Sequence, residues 1–579
     1  MKKYLFIALA ALGFAACAEH IDGPNAPIHN GELEESYIAI NLMAADNDTR
    51  AIDDDPYGNA DEYGYEEGTT TERAVKTAYF FFFDENGNPF NVIGAPATAP
   101  GGEMNHLPLT IGNTTGDLDP NVSDIKEAVL VLSTYKGIYP KQIVAVLNWK
   151  PADRPYTLEE LQTEVVNNSL GNDTNGYVMS NSVYSNGTNI MAATPITTDN
   201  IKTDADAAKA APVEIYVERT AAKVVVTNTT VANNRYAVTD VNGMKPVGGN
   251  PRTVYVELLG WELYNEFDKT NLVKSIENWD SATIGLTWND SPFYRSYWAK
   301  TWNERTTNDT FAWSYIDPTS NGLPTTYGYE IASEANYTDR DTYTYCGENT
   351  LDWKTTDVRT KVILKGRLVE DNGNGGYQTI ELAQWYGNEY AGISDLKTAV
   401  ANSLKYTLYY YDTDGDKYVS IAPEHIEIVH GSQVNAKSYE VGFQLSNEGE
   451  GKTWFKYNSE EDFDSFGDIA TGVNTTNTNE YLKSVKPAVL YKGGDTYYIV
   501  DIKHLGAAGK TAEFGVVRNH VYQIDIQSIK GYGSPGYSSL GHIVNTPEYP
   551  EDEEQSSFVA AKINVLSWKV VKQGVNIEQ

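Results

Sequence analysis

One stretch near the N-terminus constrains how the first part of the chain can fold. Residues 36–44 read S-Y-I-A-I-N-L-M-A, and the apolar side chains of one face are Ile38, Ile40 and Leu42. A period of two is typical of a β-strand with one buried face. The polar residues that follow end in Arg50 and lead into an acidic, glycine-containing stretch, 53–68. Because polar surface loops are where proteases cut most readily, the sequence predicts a strand on a severable loop. An edge strand before an ordinary loop fits the same residues.

Residues 1–17 have the composition of an export signal. Lys2 and Lys3 precede an apolar run, 4–15, which is too short to span a membrane as a mature helix. The segment Phe14-Ala15-Ala16-Cys17 is similar to a bacterial lipobox, with Phe14 where Leu is usual. We therefore expect acylation at Cys17, which would attach the chain to a membrane surface without spanning it. An ordinary secretory signal with a coincidental Cys17 is the alternative.

Composition narrows the fold class and the partners. With Cys17 assigned to lipid, Cys346 has no partner for an intramolecular disulfide. The 579 residues allow two or more domains, and 41 Tyr with 47 Gly favour strands and turns over helices. The formal charge of −35 argues against nucleic acid or an anionic membrane surface as a partner.

Segments with strand patterns recur along the chain between turn-forming residues, which predicts a mostly β protein built from β-sandwiches. Residues 393–404 give the one convincing helix pattern. The strands 213–227 and 253–264 are expected to finish a first sandwich, with a domain boundary in the polar stretch 265–280. The expected units are a signal peptide at 1–17, a propeptide with the removable strand at 18–50, an N-terminal sandwich at 51–275, a C-terminal sandwich at 276–545, and a linker with a tail at 546–579.

The C-terminal tail combines a strand pattern with a polar tether. Residues 545–557 are acidic and contain prolines, so they have nothing to bury. Apolar residues then alternate on one face and continue in the opposite phase beyond Val565. They are Val559, Ala561, Ile563, Val565, Leu566, Trp568 and Val570. A change of phase predicts one extended arm in two strand pieces, with a bulge or a change of partner between them.

The removable strand and the tail together suggest strand exchange. Loss of the first strand would leave unpaired backbone groups and remove three apolar side chains, each worth ~1.5–3 kcal/mol of burial. The tail of another subunit, 558–571, has the length and alternation to fill that groove as an added strand. A head-to-tail contact of this kind does not close on itself, so it builds a filament. The sequence leaves equally open that the tail pairs with its own domain.

No catalytic or metal-binding motif stands out. An acidic run resembles a calcium loop, but position twelve is Pro423 instead of a bidentate Glu, and Asp-Gly also favours a hairpin turn. We predict the turn and leave calcium binding open for Asp412, Asp414 and Asp416. His425 and His430 lack a recognised zinc spacing, and H-E-x-x-H, G-x-S-x-G and P-loop motifs are absent from the sequence. We expect no enzyme, metal or cofactor, although an acidic chain always offers carboxylate pairs for a hydrolase.

Aromatic residues of the second domain motivate a hypothesis of a different class. A surface lipoprotein that captures glycans and does not polymerise would use exposed aromatic rings. The candidates are Trp298, Trp302 and Trp313. Core packing is the competing explanation for aromatic residues in a sandwich.

Six stretches carry a family resemblance. They are the lipobox ending at Cys17, Thr49-Arg50-Ala51 behind its strand, V-E-R-T-A-A-K-V at 217–224, E-N-T at 348–350, V-V-R-N-H-V-Y-Q-I-D-I at 516–526 and V-L-S-W-K-V at 565–570. Together they resemble the fimbrillins of type V pili, in the FimA/Mfa-like fimbrillin superfamily. The similarity is greatest to the major subunit of short, Mfa-type fimbriae.

The resemblance implies a fold and a processing route. The fold would be two tandem transthyretin-like β-sandwiches with few short helices and a C-terminal donor strand. The precursor would be lipid-anchored to the outer membrane, cut between Arg50 and Ala51 by an Arg-specific surface protease, and polymerised by donor-strand exchange. Arg73 is the competing cleavage site, although it abuts the strand that begins near Ala74.

The resemblance also implies partners. They would be identical subunits, accessory fimbrial subunits, the protease, and ligands on host or bacterial surfaces. An accessory anchor is expected to keep its first strand, and a tip adhesin to lack a free tail. A chain with both a cleavage site and a tail is therefore expected to be a shaft subunit that supports adhesion.

Overall fold

The computed structural model describes the residues of most predicted strands. The described residues are 33–44, 65–66, 68–92, 104–109, 112–113, 125–135, 138–167, 171–172, 175–185, 190–228, 231–238, 252–264, 267, 269–276, 298–302, 329–333, 340–351, 359–415, 417–430, 440–456, 472–473, 475–535, 561–566 and 568–577.

Strands dominate the first part of the chain. They are β1 Leu33–Ala44, β2 Tyr65–Glu66, β3 Ala78–Phe83, β4 His106–Leu109, β5 Gly112–Asn113, β6 Ile125–Tyr135, β7 Gln142–Leu147, β8 Val165–Asn167, β9 Gly171–Asn172, β10 Gly176–Tyr177, β11 Met179–Asn181, β12 Tyr184–Ser185, β13 Ile190–Met191, β14 Thr194–Pro195, β15 Ile201–Lys202 and β16 Val213–Arg219.

The later strands begin directly after β16. They are β17 Ala222–Thr227, β18 Arg235–Ala237, β19 Tyr255–Tyr264, β20 Lys269–Asn271, β21 Tyr343–Cys346, β22 Lys361–Asp371, β23 Tyr377–Thr379, β24 Leu382–Trp385, β25 Asn388–Tyr390, β26 Leu408–Asp412, β27 Lys417–Ser420, β28 Ile426–His430, β29 Glu440–Leu445, β30 Trp454–Lys456, β31 Gly472–Val473, β32 Ala488–Tyr491, β33 Asp495–Asp501, β34 His520–Ile529, β35 Ser534–Pro535, β36 Ala561–Leu566 and β37 Trp568–Ile577.

The helices of the described residues are short. The α-helices are α1 Leu158–Thr163, α2 Ala205–Lys209, α3 Gly392–Leu404, α4 Asn447–Glu450 and α5 Thr475–Lys483. The 3-10 helices are Thr198–Asn200, Ala232–Asn234, Arg340–Thr342, Pro423–His425, Lys492–Gly494 and Thr511–Glu513. The predicted mostly β fold with few short helices is confirmed.

The first sheet follows the order β4-β3-β7-β11-β16-β1-β6-β5, with β14 on β7 and β15 on β1. Its strand β3 is a continuous run of aromatic residues because both faces are covered. Phe80 and Phe82 pack on one face with Ile143 and Leu147. Phe81 and Phe83 pack on the other face with residues next to and within α1. The helix starts at Thr157, where Thr157 and Glu160 form a reciprocal capping box.

A second sandwich has its core between two further sheets. One has the order β2-β37-β36-β34-β17-β21, and the other has the order β18-β19-β22-β33-β35 with β23 on β22. Val224, Val226 and Ile524 of the first of these sheets share one core with Trp261 and Leu364 of the second.

Two strands that were expected to finish the first sandwich belong to the second. β17 pairs in parallel with β34, and β19 pairs antiparallel with β22. The predicted single strand 213–227 is divided at Thr220 and Ala221, where the chain passes from one sandwich to the other. The strand pairing therefore changes upstream of residue 275. Alternation alone missed this because residues 215–227 are buried without interruption.

An insertion between β23 and β33 adds two smaller sheets, ordered β25-β24-β32-β29-β28 and β27-β26-β30-β31. Their core includes α3, whose Leu396, Val400 and Leu404 are buried. The Asp412 segment is the predicted hairpin turn, since β26 and β27 pair with Asp412 opposite Lys417. The backbone N–H of Asp414 donates to Asp412 Oδ1 at 3.2 Å, and both Asp414 and Gly415 are exposed.

His425 is a buried histidine of the inserted sheets whose surroundings favour the neutral ring. Its Nδ1 accepts a hydrogen bond from the Ala422 backbone N–H at 3.1 Å, and its ring lies 5.2 Å from Tyr410 and 5.3 Å from Trp454. Burial lowers its pKa from the ordinary value of 6.5. The folded state therefore binds this proton less readily than the unfolded state.

We expect acidification from pH 7 to pH 5 to destabilise the protein through His425. The unfolded chain takes up the proton as the pH falls through 6.5, so the free energy of unfolding decreases toward the lower folded pKa. His425→Gln, which cannot charge, should flatten this part of the dependence in thermal unfolding measured at several pH values. Equal slopes for the variant and the wild type would contradict the assignment.

Candidate functional site

The predicted removable strand lies inside the first sheet, not at its edge. β1 pairs antiparallel with β6 from Leu33 opposite Tyr135 to Met43 opposite Ile125. On its other side it pairs in parallel with β16, from Ile40 opposite Val213 to Ala44 opposite Val217. β15 continues that side opposite Tyr37 and Ile38. Removal of β1 would therefore leave unpaired backbone groups on β6 and on β16.

The side chains of β1 close the first core. Ile38 is fully buried with Leu130, Leu132 and Ile215. Ala39, on the opposite face, is fully buried too, so the strand has two covered faces here instead of the predicted one. Helix α2 packs against β1 and β6. Ile40 and Leu42 belong to β1, opposite Ala128 and Lys126, and their side chains lie outside the described residues.

The tail pairs with its own second sandwich. β36 lies antiparallel on β34, from Ile526 opposite Ala561 to Gln523 opposite Asn564. β37 folds back antiparallel on β36, with Leu566 opposite Lys569. The predicted extended arm is therefore a hairpin in this structure, and the change of phase marks the point where the chain reverses. β36 contains Ala561, Ile563, Val565 and Leu566, and β37 contains Trp568 and Val570.

Several predicted site residues lie outside the described residues. They are Cys17, Arg50, Ala51 and Val559. Lipidation, cleavage between Arg50 and Ala51, and the first position of the donor strand therefore stay predictions.

Buried ion pairs lie at the junction of the two sandwiches, and the sequence patterns did not predict them. Glu72, just before β3, and Lys223 of β17 form a pair at 3.1 Å in which each side chain is 1% exposed. Tyr345 of β21 also donates to the Glu72 carboxylate, and Arg219 Nε donates to the Glu72 carbonyl oxygen at 2.9 Å. Arg219 Nη1 donates to Asn519 Oδ1 at 2.9 Å, which adds a contact to the residue before β34.

The charges around Glu72 explain its protonation state. Burial opposes ionisation of the carboxyl group, but the Lys223 and Arg219 charges and the Tyr345 hydroxyl hold its pKa below the ordinary value. The same contacts raise the pKa of Tyr345 far above its usual range, with burial as the largest cause and the Glu72 charge as the second. Glu72 is therefore a carboxylate at neutral pH.

Two further pairs complete the junction. Lys274 Nζ lies 2.7 Å from Glu218 Oε1, and both side chains are fully buried. Arg518 pairs with Glu348 at 2.6 Å and also donates to the carbonyl oxygens of Asn271 and Leu272. Residues 271–276 contribute to the core of the first sandwich, so Arg518 links that sandwich to β34.

Three of the six stretches that carried the family resemblance meet at this junction. Residues 217–224 supply Glu218, Arg219 and Lys223, residues 348–350 supply Glu348, and the start of 516–526 supplies Arg518. The sequence does show charged residues inside otherwise apolar strand patterns, and this is the signal that could have indicated the buried ion pairs. A sequence alone does not say which of these charges pair, because the partners are up to 170 residues apart.

The tryptophan cluster does not form an exposed binding surface in the described residues. Trp298 is 5% exposed and packs with Ala299, Ala512 and Val517. The ring of Trp302 lies 6.4 Å from that of Phe267. Trp313 lies outside the described residues. Core packing thus accounts for Trp298.

Metal and membrane features were also sought within the described ranges. No group of three His, Cys, Asp or Glu side chains there is placed to hold a metal ion. No described helix has the length and apolar character to cross a membrane.

Comparison with known proteins gives a family match in the C-terminal part of the chain. Residues 489–574 match the family described as major fimbrial subunit protein type IV, fimbrillin, C-terminal. The match covers β33, β34, β36 and most of β37. The resemblance to the fimbrillins is confirmed. A search of curated proteins gave no match.

Solved structures with fimbrial names are similar at low identity. A fimbrilin of Porphyromonas gingivalis W83 is 12% identical with a TM-score of 0.33, and the alignment covers 93% of this chain and 97% of that one. A fimbrial assembly protein of Parabacteroides distasonis is 11% identical with a TM-score of 0.28, covering 74% and 100%. The C-terminally truncated tip fimbrial protein Mfa3 of P. gingivalis is 9% identical with a TM-score of 0.28, covering 85% and 95%.

The fimbrillin match bears on the general function of the chain. Fimbrillins are fimbrial subunits, which assemble with other subunits into cell-surface fimbriae. The match within residues 489–574 supports a fimbrial or adhesion subunit, and the family suggests a structural protein.

We expect Lys223→Met to destabilise the protein by about 3–5 kcal/mol, because it leaves the Glu72 carboxylate buried without its ammonium partner. Glu72→Leu combined with Lys223→Met should recover much of that loss, since both members of the ion pair are then replaced by apolar side chains. Chemical denaturation of the wild type, the two single variants and the double variant measures the difference.

The exposed pair Arg154–Glu160, in which each side chain is 45% exposed, is the matched control. Arg154→Met should cost less than about 1 kcal/mol. A double variant as unstable as the sum of its single variants would mean that the junction pair contributes no coupling.

Proposed function

We propose that this fimbrillin is a shaft subunit that polymerises by donor-strand exchange. In this scheme the precursor is acylated at Cys17 and anchored to the outer membrane. An Arg-specific surface protease then cuts between Arg50 and Ala51, and β1 leaves. The tail of the next subunit enters the space between β6 and β16, and the growing fibre supports adhesion to host or bacterial surfaces.

The placement of β1 is the observation that carries this proposal. A strand bonded on both sides cannot leave without exposing two rows of backbone N–H and C=O groups. Its buried Ile38 would leave a hole in the first core. A cleaved subunit therefore has a strong tendency to accept a replacement strand. β1 is 12 residues long and β37 is 10, so one tail strand is long enough to fill most of the space.

One observation favours an alternative. The tail is already paired with β34 of its own chain, as would suit an accessory tip or anchor subunit, or a surface lipoprotein that binds glycans without polymerising. In the shaft proposal the hairpin β36–β37 has to detach from β34 before it can act as a donor. The two functions differ in whether an isolated tail binds the cleaved subunit.

Arg50→Ala should leave the precursor uncut, lipidated and unpolymerised, because β1 still occupies its own sheet. Negative-stain microscopy and mass spectrometry of the N-terminus measure the result. Arg73→Ala is the control and should be processed to Ala51 and form fibres as the wild type does. Fibres of wild-type appearance from Arg50→Ala would rule out the proposal.

Deletion of residues 558–579 should give a cleaved monomer that folds but does not elongate. The second sandwich keeps its core in this variant because β34 still pairs with β17 and buries Tyr522, Ile524 and Ile526. Circular dichroism during heating tests the folding, and size-exclusion chromatography tests the assembly. Loss of cooperative unfolding would show that the tail is a required part of its own domain.

A synthetic peptide of residues 558–579 should bind the cleaved, tail-deleted monomer and raise its melting temperature, since it fills the space left by β1. A peptide with Leu566→Asp and Trp568→Asp should raise it much less, because burial of an unpaired charge opposes insertion. The uncut Arg50→Ala chain with the same deletion is the control; it offers the peptide only the place vacated on β34, so its melting temperature should rise less than that of the cut chain. Equal responses of cut and uncut chains would favour the non-polymerising alternative.

A further inference from the structure

We infer that residues 69–76 form a strap that shields the Arg73–Ala74 bond from proteolysis, and that Glu72 is the residue on which this protection depends. The inference uses the proposed function only in assuming that an Arg-specific protease processes the chain. The strap prevents a second cut after Arg73. Such a cut would remove Glu72, which the junction between the sandwiches requires.

The backbone of the strap is hydrogen-bonded on both sides of the bond. The Arg73 N–H donates to the Thr69 carbonyl at 3.1 Å, and the Ala74 N–H donates to the Thr71 carbonyl at 3.2 Å. Asn148 Nδ2 donates to the Ala74 carbonyl at 2.8 Å, and the Lys76 N–H donates to Asn148 Oδ1 at 2.7 Å. A protease needs several residues around the bond to open away from the fold, so each of these bonds opposes cleavage.

Glu72 holds the turn of the strap to the protein interior. Its carboxylate accepts from the Thr69 N–H at 2.5 Å, and its own N–H donates to Thr69 Oγ1 at 3.2 Å, which closes a reciprocal turn. The same carboxylate is the buried partner of Lys223, and the Glu72 carbonyl accepts from Arg219. The turn cannot open without separating a buried carboxylate from two cations.

On its other side, the strap lies close to the backbone at Gly176, which also supports a protective role for the strap. Gly176 has φ +80°, and a Cβ at this position would lie 2.8 Å from the Ala74 carbonyl oxygen and 2.5 Å from Asn148 Nδ2. A larger residue would therefore force β10 and the strap apart. Glycine at 176 allows Asn148 to bridge Ala74 and the Tyr177 carbonyl.

The position of the cut has a structural consequence. Cleavage at Arg50 leaves Glu72 in the mature subunit, whereas cleavage at Arg73 would release Glu72 with the propeptide. Lys223, 1% exposed, would then be a buried ammonium group without this carboxylate. The strap thus separates the part of the chain that can be removed from the part that holds the two sandwiches together.

Limited proteolysis of the full-length chain tests the strap. The Arg50→Ala chain, with an Arg-specific endoproteinase under native conditions, should show little cleavage after Arg73 by mass spectrometry. The same chain in urea should be cut there readily, which shows that the bond itself is a substrate. Glu72→Ala in this background should raise the native rate of cleavage after Arg73 by roughly a hundredfold, because losing a buried partner favours the open form. Glu85→Ala, at an exposed position after β3, is the matched control and should not change that rate.

Two further variants keep the test decisive if Glu72→Ala unfolds the whole chain. Global unfolding would be recognised by simultaneous cleavage after the buried Arg219 and Arg518. Thr69→Val and Gly176→Ala leave the ion pair in place and should still increase cleavage after Arg73 without cleavage at those two sites. Ready cleavage after Arg73 in the native Arg50→Ala chain, or no increase in any of the three variants, would overturn the inference. Polymerisation is not measured, so a failed shaft proposal would leave this result unaffected.

Discussion

Buried charge pairs at the junction of the two sandwiches, one of which spans both, are the constraint on which the rest of this structure depends. Glu72 with Lys223, Glu218 with Lys274, and Glu348 with Arg518 are all nearly inaccessible to water. A buried charge without its partner costs several kcal/mol, so these strands have little freedom to choose other neighbours. Apolar residues would give comparable burial, but they would fix the relative position of the sandwiches less strictly, because apolar contact is not directional.

The junction also connects the two parts of the proposed assembly mechanism. β16 is a neighbour of β1, and β17 is a neighbour of β34, on which the tail lies. Only Thr220 and Ala221 separate β16 from β17, and both are fully buried. The acceptor space and the donor strand are therefore linked through a short, tightly packed crossover.

The inserted sheets add a core of their own. Their buried residues around α3, Trp454 and Phe443 form a cluster distinct from the core of the second sandwich. The contact between the two includes a hydrogen bond from the Tyr532 hydroxyl to Glu389 Oε2 at 3.0 Å, and burial followed by the Glu389 charge raises the pKa of Tyr532 above its usual range. The insertion is thus fastened to the sandwich by buried polar groups as well as by apolar contact.

The sequence by itself determined the local structure and the family resemblance. Alternation predicted β1, Asp-Gly predicted the turn after Asp412, and residues 393–404 predicted α3, because each depends on residues a few positions apart. Only the tertiary structure decided that β1 is central, that β17 and β19 belong to the second sandwich, and that the tail forms a hairpin on β34. These features depend on pairing between residues far apart in the chain. A strand pattern fixes which face is buried, whereas the choice of neighbour is made by complementary shape and charge that become adjacent only on folding.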